Sequence, residues 1–411
     1  MLEAAFLWEW AEFAARWLHV ITGIAWIGSS FYFIALDLGL RKAHAMPRGV
    51  LGEEWQVHGG GFYHIQKYTI APDHMPDHLT WFKWEAYATW LSGAALMAIV
   101  YWVGAELFLI DPGKADLPVW LAILISGGSL AIGWLIYDAL CKSPLGDRPT
   151  ALMLVLFALL TAMAWGYDQS FTGRAALLHL GAFTGTIMVA NVFLIIIPNQ
   201  KIVVADLRAG RTPDAKYGRI AKLRSMHNNY LTLPVLFLML SIHYPLAFAT
   251  QYNWLIASLT FLMGVTIRHW FNTRHAGKGS PWWTWPATAA VFAAIMALSL
   301  APAFGPFDMA ADREPTPREA RFADADGFDT AYGIVMGRCA MCHAREPNWP
   351  GTAIAPNGVL LETEADVARQ AREIYLQAGR SHAMPPAAVA FVPADERAVL
   401  AAWYRAGAAA E

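Results

Sequence analysis

Near its end the chain reads "CAMCH", Cys339 to His343. Two thiols and an adjacent imidazole at this spacing form the attachment set of a c-type haem. The sulfurs of Cys339 and Cys342 would bond the porphyrin, and His343 would supply one axial ligand to the iron. A distal Met or His commonly supplies the other, and "SHAMPP" holds one of each, His382 and Met384. A zinc site fits less well, because no second Cys/His pair of suitable spacing follows. The chemistry these residues could do is one-electron transfer.

Other polar residues stand inside or beside apolar stretches, where ionisable groups are costly and raise functional expectations. His19, His179 and His243 are the candidates for catalysis or for ligating a second haem, with His227 a fourth candidate base. Thr22, Trp26 and Ser30 recur with His19 at helical spacing, as Phe183, Thr186 and Ala190 do with His179. "RSMHNNYLTLP" offers Arg224, His227, Asn228 and Asn229, and "IRHWFNTRH" offers Arg268, His269 and Asn272. Arg, His and Asn together suit a planar, anionic, amide-bearing ligand, so Arg224, Asn228 and Arg268 are the substrate-binding candidates. The bland alternatives stay open. Such histidines also satisfy interhelical hydrogen bonds, and basic residues at helix ends also fix topology. His58, His64, His74 and His78 lie close together, but their spacing matches no standard metal site.

The elements that must position these residues read as membrane helices. Of 411 residues 56% are apolar, too many for an ordinary soluble protein, and 19 tryptophans suit interfacial anchoring. Runs of spanning length lie near 13–36, 84–110, 118–140, 150–167, 175–198, 228–249, 252–270 and 284–304. The expected fold is therefore all-α: an eight-helix transmembrane bundle over 1–304, a linker at 305–324 rich in Pro, Asp, Glu and Ala, and a small soluble domain at 325–411. "WLHVITGIAWIGSSFYF" and "LLHLGAFTGTIMVANVF" echo one another, which suggests two four-helix repeats.

The odd-numbered loops carry sixteen Lys and Arg, from Arg41 to Lys278, against three on the other side, Arg16, Lys114 and Arg174. By the positive-inside rule the odd loops are cytoplasmic and both termini lie outside. In a bacterial inner membrane that side is the periplasm, where c-type haem is attached. Glu3, Glu9 and Glu12 precede or begin the first apolar run, unlike the basic start of a secretory signal, so this helix is expected to stay as an anchor. A net charge of -2 gives no basic surface for nucleic acid. With Cys339 and Cys342 in the pentad, Cys141 stands alone and no disulfide framework is implied. A GxGxxG after a strand, the dinucleotide fingerprint, is absent.

Met384 followed by prolines resembles the methionine loop of small cytochromes c. That likeness favours Met384 over His382 as the sixth ligand and implies a cytochrome c fold for the tail, with one covalent haem c. "WLHVITGIAWIGSSFYF", "GGGFYHIQKY", "LTWFKWEAYATWLSG", "VANVFLIIIPNQK" and "RSMHNNYLTLPVLFLML", in that order before a terminal CxxCH domain, resemble the bacterial membrane-bound urate oxidase, or urate hydroxylase, with a fused cytochrome c. The likeness covers nearly the whole chain. It implies oxidation of urate to 5-hydroxyisourate in purine degradation, with electrons leaving through the fused haem to a respiratory acceptor, a soluble cytochrome c or a terminal oxidase, and not to dioxygen. Helix one also loosely resembles a haem-b-binding protoporphyrinogen oxidase family, which implies a b-type haem between His19 and His179. The alternatives to an enzyme are a quinol- or dehydrogenase-linked electron-transfer module and a redox-sensing permease, although transport needs no covalent haem and no interrupted helix pair stands out.

Overall fold

The computed structural model describes residues 2–70, 76–248, 250–304, 316–349, 355, 356, 359–381, 383–385 and 391–409. Backbone groups in lipid must be satisfied within their own segment, and helices take up 70% of the described residues against 5% strand. The first part runs α1 (Leu2–Gly39), β1 (Val50–His58), β2 (Gly61–Tyr68), α2 (Trp84–Leu96), α3 (Val119–Lys142), α4 (Pro149–Ser170), α5 (Gly173–Ala190), α6 (Ile197–Arg208), α7 (Ala215–Ser241), the short α8 (Pro245–Phe248), α9 (Asn253–His275) and α10 (Thr284–Phe304). Wide helical turns extend α2 through Met97–Trp102 and Ala105–Leu109, and another, Asn191–Ile196, joins α5 to α6.

Local chemistry sets the helix starts. Pro149 occupies the first turn of α4, where its missing N–H costs nothing, and the hydroxyl of Thr172 accepts from Ala175 N at 3.2 Å to open α5. Among the described residues five segments are long and apolar enough to cross a membrane: Trp10–Gly39, Val119–Lys142, Pro149–Ser170, Gly173–Arg208 and Asn253–His275. The other expected spans fall on α2 with its wide turns, on α7 and on α10.

α5 is the axis of this part, with Ala175, Leu177, Leu180, Phe183, Ile187 and Met188 all buried. Small residues let its neighbours close in. The ring of Phe183 lies over Gly133 of α3, where an added Cβ would overlap it. Gly264 of α9 faces the ring of Pro234 inside α7, and a Cβ there would stand 2.6 Å from its Cδ.

The expectation of an all-α chain is corrected by β1 and β2, an antiparallel hairpin in the first long loop. Val50 to Tyr68 alternates strand-forming residues around two turn glycines. Gly59 and Gly60 take φ of 61° and 79°, the left-handed pair that a two-residue hairpin turn requires. His64 is drawn into the hairpin, bonding Glu53 at 2.7 Å and stacking on Trp55 at 4.1 Å. His58 pairs across the turn with Gly61, His78 is exposed, and His74 lies outside the described residues. Among the described residues no group of three His, Cys, Asp or Glu is placed to hold a metal.

The tail has its own core, made by Phe322, Phe328, Val335, Leu361, Val367, Leu400 and Trp403. Its helices are α11 (Pro317–Ala320), α12 (Phe328–Arg338), α13 (Glu364–Arg369), α14 (Ala371–Ile374), a wide turn at Tyr375–Gly379 and α15 (Ala394–Ala408). α12 and α15 are joined by a two-pronged ion pair, Arg338 to Glu396 at 3.0 and 2.8 Å. This core begins ahead of residue 325, because Phe322 stacks on Tyr404 and its carbonyl accepts from Trp403 Nε1 at 2.8 Å. Of the linker expected at 305–324, residues 305–315 lie outside the described residues. Arg372 of the tail pairs with Glu106 of the helices at 3.1 Å.

Candidate functional site: two buried polar networks and the CxxCH turn

Helical spacing brings Arg224, His227 and Asn228 to one side of α7, at i, i+3 and i+4, facing Tyr137, Asp138 and Cys141 of α3. Arg224 Nη2 donates to Asp138 Oδ1 at 2.6 Å, and Lys142 pairs with the same carboxylate at 2.6 Å. Arg224 Nη1 donates to Asn191 Oδ1 at 3.2 Å. The Asn191 amide in turn donates to Tyr137 Oη at 2.9 Å and Asn228 Oδ1 at 3.0 Å, while Asn228 Nδ2 donates to Met188 O at 2.9 Å. With its oxygen already accepting from Asn191, the Tyr137 hydroxyl donates to His227 Nδ1 at 2.8 Å. Cys141 Sγ lies 3.9 Å from the same nitrogen. The arrangement can pass a proton between phenol and imidazole, and its one cation beside Tyr137 is already matched by a carboxylate.

Asn229, the next residue of α7, belongs to a second network. Arg268 of α9 donates from Nε to Asn229 Oδ1 at 3.3 Å and from Nη2 to Asn272 Oδ1 at 3.1 Å, and Asn272 Nδ2 donates to Asn229 Oδ1 at 2.9 Å. The Arg268 guanidinium lies 4.6 Å from the Phe31 ring centroid on α1. Among the described residues Arg268 has no carboxylate partner, although it is only 6% exposed. Asn229 Nδ2 is buried with no acceptor. A lone buried cation beside an unfilled amide donor, with an aromatic face against it, is what a planar anion with carbonyl oxygens needs. Asp138, Tyr137, Asn191 and Cys141 were not among the sequence candidates for the site. Asn229 and Asn272 were visible as amides in "MHNNY" and "FNTRH", but an Asn191 inside an apolar run gives no periodic signal.

The model of the urate oxidase N-terminal family matches residues 5–299. The chain belongs to the urate oxidase N-terminal family. The match spans α1 into α10, so it includes both polar networks and stops before the tail. Family membership makes the chain an oxidoreductase of urate-related oxidation and is consistent with urate as substrate. No curated protein and no solved structure matches it.

In this member of the urate oxidase N-terminal family the three other histidine candidates do not come together. His19 turns toward α2, with Nδ1 2.9 Å from Thr89 O and 3.2 Å from Ser92 Oγ, over Gly93. His179 is fully buried. Trp102 Nε1 donates to Ser126 Oγ at 2.9 Å, the Ser126 hydroxyl meets His179 Nε2 at 2.7 Å, and Nδ1 meets Ala175 O at 2.8 Å. Tyr101, Tyr167 and Phe171 enclose its ring. His243 is exposed in the turn after α7. A b-type haem held by His19 and His179 does not fit, since His179 has no free ring nitrogen and the two imidazoles face different helices.

The tail residues do fit a covalent haem. Cys339 and Cys342 are free and partly exposed at the end of α12. His343 Nδ1 bonds Val359 O at 2.9 Å, which leaves Nε2 for a metal, the usual second partner of an axial imidazole. Burial lowers the His343 value and pushes Cys339 up to about 11. Met384 N donates to Gln377 O at 2.8 Å. Arg397 of α15, itself buried, gathers the segment by donating to Ala378 O at 2.5 Å, Ser381 O at 2.8 Å, Met384 O at 3.2 Å and Val392 O at 3.1 Å. His382, the rival ligand, lies outside the described residues.

Proposed function

We propose that this chain oxidises urate to 5-hydroxyisourate in the helical domain and delivers the electrons to haem c on its tail, and from there to a respiratory acceptor. The observation that carries this reading is Arg268, a buried cation with no carboxylate partner among the described residues beside an unfilled amide donor, inside the segment that the urate oxidase N-terminal family matches.

Arg268 pairs with the urate anion, and Asn229 and Asn272 orient its carbonyl and N–H edges. Conversion removes two electrons and two protons from urate plus water, and the water oxygen becomes the C5 hydroxyl. His227, bonded to Tyr137, is the base that takes a proton, and Arg224 with Asp138 and Asn191 holds that pair in place. Cys339 and Cys342 would hold haem c and His343 and Met384 would bind its iron, a group that supplies one-electron chemistry when bound. The rings of Tyr101, Tyr167, Phe171 and His179, 4.9 to 5.8 Å apart, lie toward the tail side and support an outward route.

Five helices long and apolar enough to cross a membrane support this arrangement. The sixteen-to-three bias of Lys and Arg supports a cytoplasmic Lys142, Arg208 and His275 end and a periplasmic tail in an inner membrane. The deciding experiment supplies urate to purified protein without oxygen and follows the haem absorbance. Reduction at the turnover rate is expected. No response to urate, with reduction by quinol, would replace the enzyme with an electron-transfer module.

A further inference from the structure

Hairpin β1–β2 does not extend away from the helices. Arg41 and Glu53 exchange backbone hydrogen bonds at 2.9 Å, the Glu54 carboxylate lies against Gly39, and Tyr32 Oη donates to Gln56 Oε1 at 2.8 Å. Lys67 on β2 pairs with Asp37 at 2.5 and 2.6 Å. As β1 advances from Glu53 to Gln56, its neighbours on α1 therefore run backward from Arg41 to Tyr32. The hairpin doubles back alongside the helix, toward the middle of the span Trp10–Gly39. Gly39 to Tyr32 is about 10 Å of helix, and the turn glycines lie about 10 Å beyond Gln56 along the strand.

Charge and polarity follow the same direction. Glu53, Glu54 and Lys67 sit at the base, while no Asp, Glu, Lys or Arg occurs from Trp55 through Gln66. The register pairs Trp55 with His64 and Val57 with Phe62 on one face. That face is uncovered: Trp55, Val57 and Phe62 are 62%, 73% and 76% exposed. On α1, Phe33 follows Tyr32 and packs edge-on against Phe82 at 4.6 Å, and Trp84 is exposed at the start of α2. An uncharged aromatic tip lying back along a helix that reads as a span matches the aromatic belt of a bilayer.

We propose that the tip of the β1–β2 hairpin, through Trp55, Val57 and Phe62, is a lipid-binding surface that inserts into the cytoplasmic leaflet. The two open strand edges limit its depth, because their unpaired backbone groups must reach water or headgroups. Glu53, Glu54 and Lys67 hold the base at the membrane surface through α1. This rests on the reading of α1 as a membrane span, independently of the reaction.

The test is spin labelling of full-length protein in phospholipid nanodiscs, with single substitutions Val57→Cys, Phe62→Cys and Ile24→Cys. Ile24, 69% exposed in mid-α1, is the lipid reference, and unsubstituted protein gives the background of Cys141, Cys339 and Cys342. The expected result is that labels at 57 and 62 collide more with dissolved oxygen than with a polar nickel chelate, as at 24. Preference for the chelate at 57 and 62, with oxygen preferred at 24, overturns the anchor and leaves the span intact. Chelate preference at all three overturns both. Dipolar broadening between labels of two chains at 62 overturns it by making a second copy the occupant.

Discussion

Arg224 and Arg268 are both buried arginines a few residues from adjacent asparagines, yet their surroundings give them opposite consequences on removal. Arg224 matches the charge of Asp138, so Arg224→Ala leaves a carboxylate with only Lys142, and the fold should lose about 3–5 kcal/mol, read as a lower unfolding temperature in detergent. Arg268 has no such partner among the described residues, so Arg268→Ala removes a desolvated charge and should leave stability unchanged or higher. Its urate kcat/KM should fall roughly 10- to 150-fold, the worth of about 1.5–3 kcal/mol for a charged hydrogen bond. Equal stability losses for the two variants, or unaltered turnover in Arg268→Ala, would remove Arg268 from the urate site. In the tail, burial first of all, then Asp111 and Glu319, push Glu373 up to about 7 from 4.5. Between these values the folded tail keeps a proton that the unfolded chain has released, so stability falls as pH rises through that window. Glu373→Gln should flatten the slope, which hydrogen exchange of the α15 amides in intact protein, corrected for intrinsic rates, would read.

Among the elements, α7 and α9 approach closely because Gly264 accepts the ring of Pro234. Gly264→Ala should force them apart and lower stability by about 1–3 kcal/mol, checked by thermal unfolding in detergent; the same closeness lets Arg268 reach Asn229. The wide turn at Asn191–Ile196 sets the direction of Asn191, which joins α3 to α7 through three side-chain bonds. Helical segments stand at all the expected spans because runs of apolar residues have few alternatives in lipid. The hairpin was legible too, in "QVHGGGFYHIQ", where two β-rich runs flank paired glycines, but its polar histidines drew attention to metal chemistry instead. Arg397 was not legible, since its task is to collect four carbonyls of the segments around Met384 that no spacing announces.

At the scale of the whole molecule, the proposed electron acceptor lies on the tail and the proposed anion site among the helices, so the two should be separable. His343→Ala should leave membrane insertion and urate binding intact and abolish sustained oxidation; turnover that persists without oxygen would reject the tail as acceptor. The amino-acid sequence by itself determined the apolar spans, the basic-loop asymmetry, the separate tail and the CxxCH set, because each depends on neighbours along the chain or on composition summed over a segment. Which polar residues share a site was decided only by tertiary structure. His19 and His179, matched in the sequence echo, face different helices, while Tyr137 and His227, 90 residues apart, share a hydrogen bond. The physical reason is that a buried polar group bonds whatever partner packing brings within about 3 Å, and the helix rotations that choose that partner are fixed by contacts such as Phe183 over Gly133, made between distant segments.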